Sequence, residues 1–105
     1  MTKNEIKEIL TRNKDVLTKH RVKSIALFGS FVRGDMKRQS DIDFLVEFDK
    51  TAFGENFEGY FDNYMGLLLS LENIFGRKID LLTTDMISPY IKSYIMQEAE
   101  YFEAA

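Results

Sequence analysis

An apolar run, Val22-Lys23-Ser24-Ile25-Ala26-Leu27-Phe28, stops at Gly29-Ser30. After a short polar stretch a second run begins, Asp41-Ile42-Asp43-Phe44-Leu45-Val46-Glu47-Phe48. No other feature constrains the fold as much. The first run is rich in β-favouring residues, and glycine ends it. In the second, Ile42, Phe44, Val46 and Phe48 fall on one side of a strand, and Asp41, Asp43, Leu45 and Glu47 on the other. One face is therefore built for a core, and the opposite face carries acids.

The elements around these strands follow from periodicity and punctuation. Thr2-Lys3-Asn4-Glu5 matches a capping box, and Ile6, Ile9, Leu10, Val16 and Leu17 recur at helical spacing, so a first helix is expected from about Thr2 to His20. Ser30 can cap a short helix through about Gly34, with Asp35 to Ser40 as a loop. Asp49 to Glu58 reads as irregular. Phe57, Phe61, Tyr64, Leu68, Leu71 and Phe75 predict a helix that Gly76 stops. Arg77 to Leu82 predicts a third strand. Ser88-Pro89 opens a last helix, through Ile91, Tyr94, Ile95 and Glu98 to Phe102. The expected order is α-β-α-β-α-β-α in one domain, residues 1–105.

Bulk properties narrow the function. The chain has 105 residues, of which 45% are hydrophobic and 30% charged, an ordinary globular balance. That length supports one core, so a large acceptor substrate would have to come from elsewhere. A net charge of −3 argues against direct nucleic-acid binding, which depends on neutralising phosphates with Lys and Arg. It leaves room for a nucleotide, whose phosphates can be met locally. With no cysteine, disulfides, Cys-based zinc sites and thiol nucleophiles are excluded. No apolar run approaches membrane-spanning length, and the start lacks an apolar signal core, so a cytoplasmic protein is expected.

Asp41 and Asp43 lie two apart on a strand, roughly 6–7 Å from each other at the backbone and on one face. Carboxylates so placed repel unless a cation sits between them, and Mg²⁺ takes such oxygen ligands together with phosphates. Asp80, inside Ile79-Asp80-Leu81-Leu82, is a third acid in an apolar strand, a costly place unless it is paired or metal-bound. If the third strand lies beside the second, Asp80 can complete the cluster. Gly29-Ser30 supplies the anion side: glycine admits a phosphate close to the backbone, the short helix offers free N–H groups, and Ser30 adds a hydroxyl. Arg33, one turn on, could reach a phosphate with its forked guanidinium. Each feature also has an ordinary structural reading. Asp41 can be a cap or an edge charge, Asp80 can pair with Lys78 or Arg77, and Gly29-Ser30 can be a simple turn. Lys37 and Arg38 read as solvated loop charges, His20 as a favourable charge at a helix end, and Phe53 or Tyr60 as core or as a nucleobase cover. The combination in this order favours a metal–triphosphate site.

Gly29-Ser30-Phe31-Val32-Arg33-Gly34 followed by Ser40-Asp41-Ile42-Asp43 resembles the signature of the DNA polymerase β-like nucleotidyltransferase superfamily. More narrowly it resembles the minimal nucleotidyltransferases, the MntA-type antitoxins typically encoded beside a small helical HEPN-domain toxin. Leu71 to Leu82 resembles the segment bearing that family's third carboxylate, and Ile91 to Phe102 its closing helix. Val32 departs from the Ala of many relatives. The resemblance implies an α/β (α+β) fold, with a small mixed sheet, helices on one face and the active site on the other. It implies two Mg²⁺ ions, with Mn²⁺ as an alternative, and ATP as substrate. On the matching positions Asp41, Asp43 and Asp80 are catalytic and bind the metals, while Gly29, Ser30, Arg33 and Ser40 bind the nucleotide. The implied reaction moves AMP to a hydroxyl, in related antitoxins a tyrosine of the HEPN toxin. Two rivals remain: an antitoxin that acts by binding alone, and a small-molecule transferase of the aminoglycoside-modifying kind, which usually carries an added helical domain.

Overall fold

The computed structural model describes residues 1–37 and 40–102, so Arg38 lies outside the described residues. Thr2 caps helix α1 (Lys3–Arg12), its hydroxyl accepting from the Glu5 N–H at 3.2 Å. Asn13 then breaks the helix expected to run unbroken to His20. Its side-chain amide donates to the Ile9 carbonyl at 2.8 Å, a local bond that competes with helix continuation, and α2 (Lys14–Lys19) restarts beyond it. Both pieces still bury Ile6, Leu10 and Leu17 in one core.

Strand β1 (Val22–Phe28), helix α3 (Ser30–Arg33) and strand β2 (Ile42–Phe48) fall where the sequence places them. A 3₁₀ turn (Lys50–Phe53) leads to α4 (Tyr60–Phe75), which ends at Gly76 in a left-handed conformation. Strand β3 (Ile79–Thr83) follows. Helix α5 (Pro89–Glu98) starts at Ser88, whose hydroxyl accepts from the Ile91 N–H at 3.4 Å.

The last helix does not reach Phe102. Ala99 is extended, and β4 (Glu100–Phe102) pairs antiparallel with β1. The helical spacing of Ile91, Tyr94, Ile95 and Phe102 was misleading, because in α5 only Ile95 is buried. Closing the free edge of β1 satisfies backbone groups that would otherwise be exposed, and Phe102 joins the main core. Lys3 and Lys7 hold Glu100 at 3.0 and 3.7 Å.

The sheet order is β3-β2-β1-β4, with β2 and β3 parallel and the other pairs antiparallel, hence the expected mixed sheet. Helices α1, α2 and α4 bury one face, around Ile25, Leu27, Phe44 and Val46. On the other face a smaller cluster joins Ala26 and Leu45 to Ile95 of α5. That cover stops short of Asp43 and leaves the acidic end of the sheet accessible. Phe44 is fully buried, with its ring 5.7 Å from that of Phe75. Phe44→Ala should therefore lower the unfolding free energy in a urea titration by about 3–5 kcal/mol. Phe61→Ala, at a position 69% exposed, should stay within about 0.5 kcal/mol. Equal losses would contradict this core.

Candidate active site

The register of the parallel pair sets Asp43 of β2 directly beside Asp80 of β3. Adjacent strands lie about 4.8 Å apart, and the neighbours of both acids (Ile42 and Phe44, Ile79 and Leu81) point into the core. The two carboxylates therefore share the other face and come within hydrogen-bonding reach. Asp43 is half-buried. Its carboxyl is pushed up to about 6, first by burial, then by the hydrogen bond to Asp80 and the negative charges of Asp80 and Asp41, against the pull of Arg33. Asp80 is exposed. β3 is an edge strand whose outer side is open here, so the burial cost expected for this acid does not arise.

Asp41 stands just before β2 and adds to the negative field at Asp43. Its carboxylate lies 3.6 Å from the Lys78 ammonium, so the lysine considered as a partner for Asp80 serves Asp41 instead. Among the described residues no three His, Cys, Asp or Glu side chains are gathered tightly enough to hold a metal as they stand. The donor set nonetheless fits a hard divalent cation. Asp43 and Asp80 already converge in register, and two carboxylates so placed are the hard oxygen ligands such an ion takes.

The glycine-serine bend touches this pair. β1 and β2 pair Phe28 with Asp43, which brings the next residue, Gly29, against the Asp43 side chain. A Cβ on Gly29 would collide with the carboxylate, meeting its Cγ at 3.0 Å. Gly29 also has φ 79° and ψ −152°, a region effectively reserved for glycine. The Gly29 carbonyl accepts from the N–H groups of Val32 and Arg33, which starts α3.

Glu98, at the end of α5, reaches over the bend. Its Oε1 accepts from the Gly29 N–H at 2.6 Å and from Arg33 Nη1 at 2.9 Å. Arg33 Nε donates in addition to Asp35 at 3.2 Å. Sequence reasoning treated Glu98 only as a helix position. Nothing local marks it, since its role comes from where β4 fixes the end of α5. Ser30 is half-buried at the bend. Ser40 closes the loop before β2: its hydroxyl accepts from the Lys37 N–H at 2.7 Å, and its carbonyl from Arg77 at 3.2 Å.

Asp43 and Asp80 line a cavity of about 480 Å³, with Phe28, Leu82, Tyr64, Leu68 and Lys78 around them. The Tyr64 hydroxyl donates to the Leu81 carbonyl and so fixes one wall. His20 takes no part; its Nδ1 is bonded to the Val16 carbonyl, and the ring packs against Gly66 of α4. Phe53 and Tyr60 stack edge-on at the Phe48 end of β2, five residues and about 16 Å along the strand from Asp43. They are too distant to cover a base at the acidic end.

A mixed sheet with two acids from parallel neighbours, set against a glycine bend at the end of the preceding strand, defines the nucleotidyltransferase class. The fold matches a solved structure provisionally named a minimal nucleotidyltransferase, with TM-score 0.76 over 95% of both chains, at 24% identity. It also matches a chain of a toxin–antitoxin crystal structure with AMP-PNP, at TM-score 0.66, covering 88% of this chain and 70% of that one, at 20% identity. The sequence profile of the nucleotidyltransferase domain matches residues 4–102, and the chain belongs to that family. It is 47% identical over 102 residues to a Methanocaldococcus jannaschii protein provisionally named a protein adenylyltransferase, covering 95% of this chain and 97% of that one. It is 32% identical to the protein adenylyltransferase MntA of Thermococcus cleftensis, covering 96% of each. The chain is a nucleotidyltransferase, as the sequence motif implied.

Folding raises the Asp43 carboxyl from 3.8 to about 6, so the folded chain holds that proton more tightly than the unfolded one. The resulting stability is fully present below about pH 4 and is lost as pH rises through about 6. In chelator-containing buffer, the thermal midpoint of the wild type should fall across this window relative to Asp43→Asn. Parallel pH profiles for the two proteins would contradict a raised Asp43 carboxyl.

Proposed function

We propose that this nucleotidyltransferase moves AMP from ATP to a tyrosine hydroxyl of a HEPN-domain toxin and thereby acts as its antitoxin. The observation that carries the reading is the contact between the Gly29 bend and Asp43, with Asp80 in register beside it. Places for an anion and for a cation adjoin, as a metal-bound triphosphate requires. The names of the relatives support adenylyl transfer as the reaction, and the toxin–antitoxin complex with AMP-PNP supports the partner and nucleotide class. The outer side of α5 exposes Tyr90, Ile91 and Tyr94, apolar surface of the kind protein interfaces use. Among the described residues no helix is long and apolar enough to cross a membrane, in keeping with action in the cytoplasm.

Asp41, Asp43 and Asp80 would hold two Mg²⁺ ions, Asp41 turning from Lys78 to do so. The bound ions would neutralise phosphate charge and polarise the α-phosphate. Gly29 and Ser30 hold the β- and γ-phosphates, and Arg33 reaches the same anion. Ser40 assists by fixing the loop that presents Asp41. The acceptor oxygen bonds to the α-phosphorus while the bond to the β-phosphate oxygen breaks, and pyrophosphate leaves with those electrons. Asp80, the exposed acid, faces the acceptor and takes the proton that its hydroxyl loses as the bond to phosphorus forms, then passes it to solvent. Positioning and charge neutralisation supply most of the rate.

The test combines the chain, ATP labelled at the α-phosphate, Mg²⁺ and a purified HEPN-domain toxin. Label should appear on a toxin tyrosine, and Asp41→Asn with Asp43→Asn should cut transfer at least about 100-fold. No labelling, or undiminished labelling by the double variant, contradicts the proposal. If the double variant labels nothing yet still protects cells, neutralisation proceeds by binding alone.

A further inference from the structure

We infer that Glu98 occupies the place of a substrate phosphate in the nucleotide-free chain, so that α5 carries an internal competitor of the triphosphate. The inference rests on the reading of Gly29 and Arg33 as phosphate ligands. One oxygen, Glu98 Oε1, takes both the Gly29 N–H at 2.6 Å and the Arg33 guanidinium at 2.9 Å. A backbone N–H converging with a guanidinium is the donor set that a phosphate oxygen seeks. The carboxylate comes from a residue 69 positions from Gly29 and 65 from Arg33, so tertiary structure, not local geometry, puts it there.

The charge environment makes this placement notable. Asp43 lies against the same glycine, and Asp41 and Asp80 are close to Asp43. A fourth carboxylate beside three others is unfavourable by itself. It is held because these two donors compensate it, and they are the ones the nucleotide needs. The backbone at Glu98 is also tethered. Two residues on, Glu100 pairs with Leu27 of β1 and is gripped by Lys3 and Lys7. The end of α5 is thereby held beside the bend, where the side chain can return whenever the phosphate leaves. Triphosphate entry must break both Glu98 bonds, after which Arg33 turns to the anion.

The test measures binding to the full-length chain by calorimetry, using Mg²⁺–ATP, inorganic tripolyphosphate and adenosine. Glu98→Ala should tighten Mg²⁺–ATP and tripolyphosphate binding by about ten-fold or more and leave adenosine unchanged. Glu98→Gln, which keeps the shape but not the charge, should fall between wild type and Glu98→Ala, and it carries the test if the alanine variant melts early. Wild type that binds Mg²⁺–ATP as tightly as, or more tightly than, both variants overturns the inference while leaving the proposed function standing. Absence of tripolyphosphate and ATP binding in all three proteins overturns the phosphate reading of the bend, and this inference with it.

Discussion

The close approach of a backbone bend to a carboxylate organises this molecule. Gly29 can lie against Asp43 only because it has no Cβ, and its positive φ turns the chain out of β1 at that point. The β1–β2 pairing that brings the two together also aligns Asp43 with Asp80 across the next ladder. Shifting β2 by one residue would send both Asp43 and the contact with the bend to the core face. The apolar alternation of Ile42, Phe44, Val46 and Phe48 forbids that slip. The hydrophobic pattern that builds the core thus also fixes the polar site to within one residue.

The site is electrostatically costly as it stands. Burial and the neighbouring charges of Asp80 and Asp41 hold the Asp43 carboxyl up, Asp41 leans on Lys78, and Glu98 holds donors suited to a phosphate. Each arrangement is a local settlement of charge that a metal-bound triphosphate would undo. On the proposed reading a cation would bridge the aspartates, and the phosphates would take Gly29 and Arg33. Such a surface binds its ligand partly by relieving strain that folding imposed, which is typical of functional sites.

Much of this was legible in the chain. β1, β2, β3 and the start of α5 follow from local rules: β-favouring runs, alternation, glycine stops and a serine-proline cap. The glycine bend and the placing of Asp43 opposite the core face were legible from local pattern, whereas Asp80 joins Asp43 through strand adjacency, and Asp41, expected to share a strand face with Asp43, stands before β2 and meets Lys78. What escaped depends on tertiary context. Asn13 splits a helix through one side-chain bond that periodicity does not register. Residues 100–102 look helical by spacing, yet β1 offers them an open edge. Asp80 is cheap to place because β3 is that side's edge strand, and strand order is not written in local sequence. Lys78 could have paired with either acid, and only the register decides for Asp41. Glu98 carried no signal, because its importance comes from β4 fixing the helix end above the bend.

The central claim is that Gly29, Asp43 and Asp80 form one metal–triphosphate site. Manganese paramagnetic broadening tests it most directly, in amide NMR spectra of the chain with a non-hydrolysable ATP analogue. Amides of Gly29, Ser30, Asp43 and Asp80 should broaden first, while those of Phe53 and Tyr60 at the far end of β2 stay sharp. Broadening centred on Phe53 and Tyr60, or spread evenly over the acidic surface, would contradict the account.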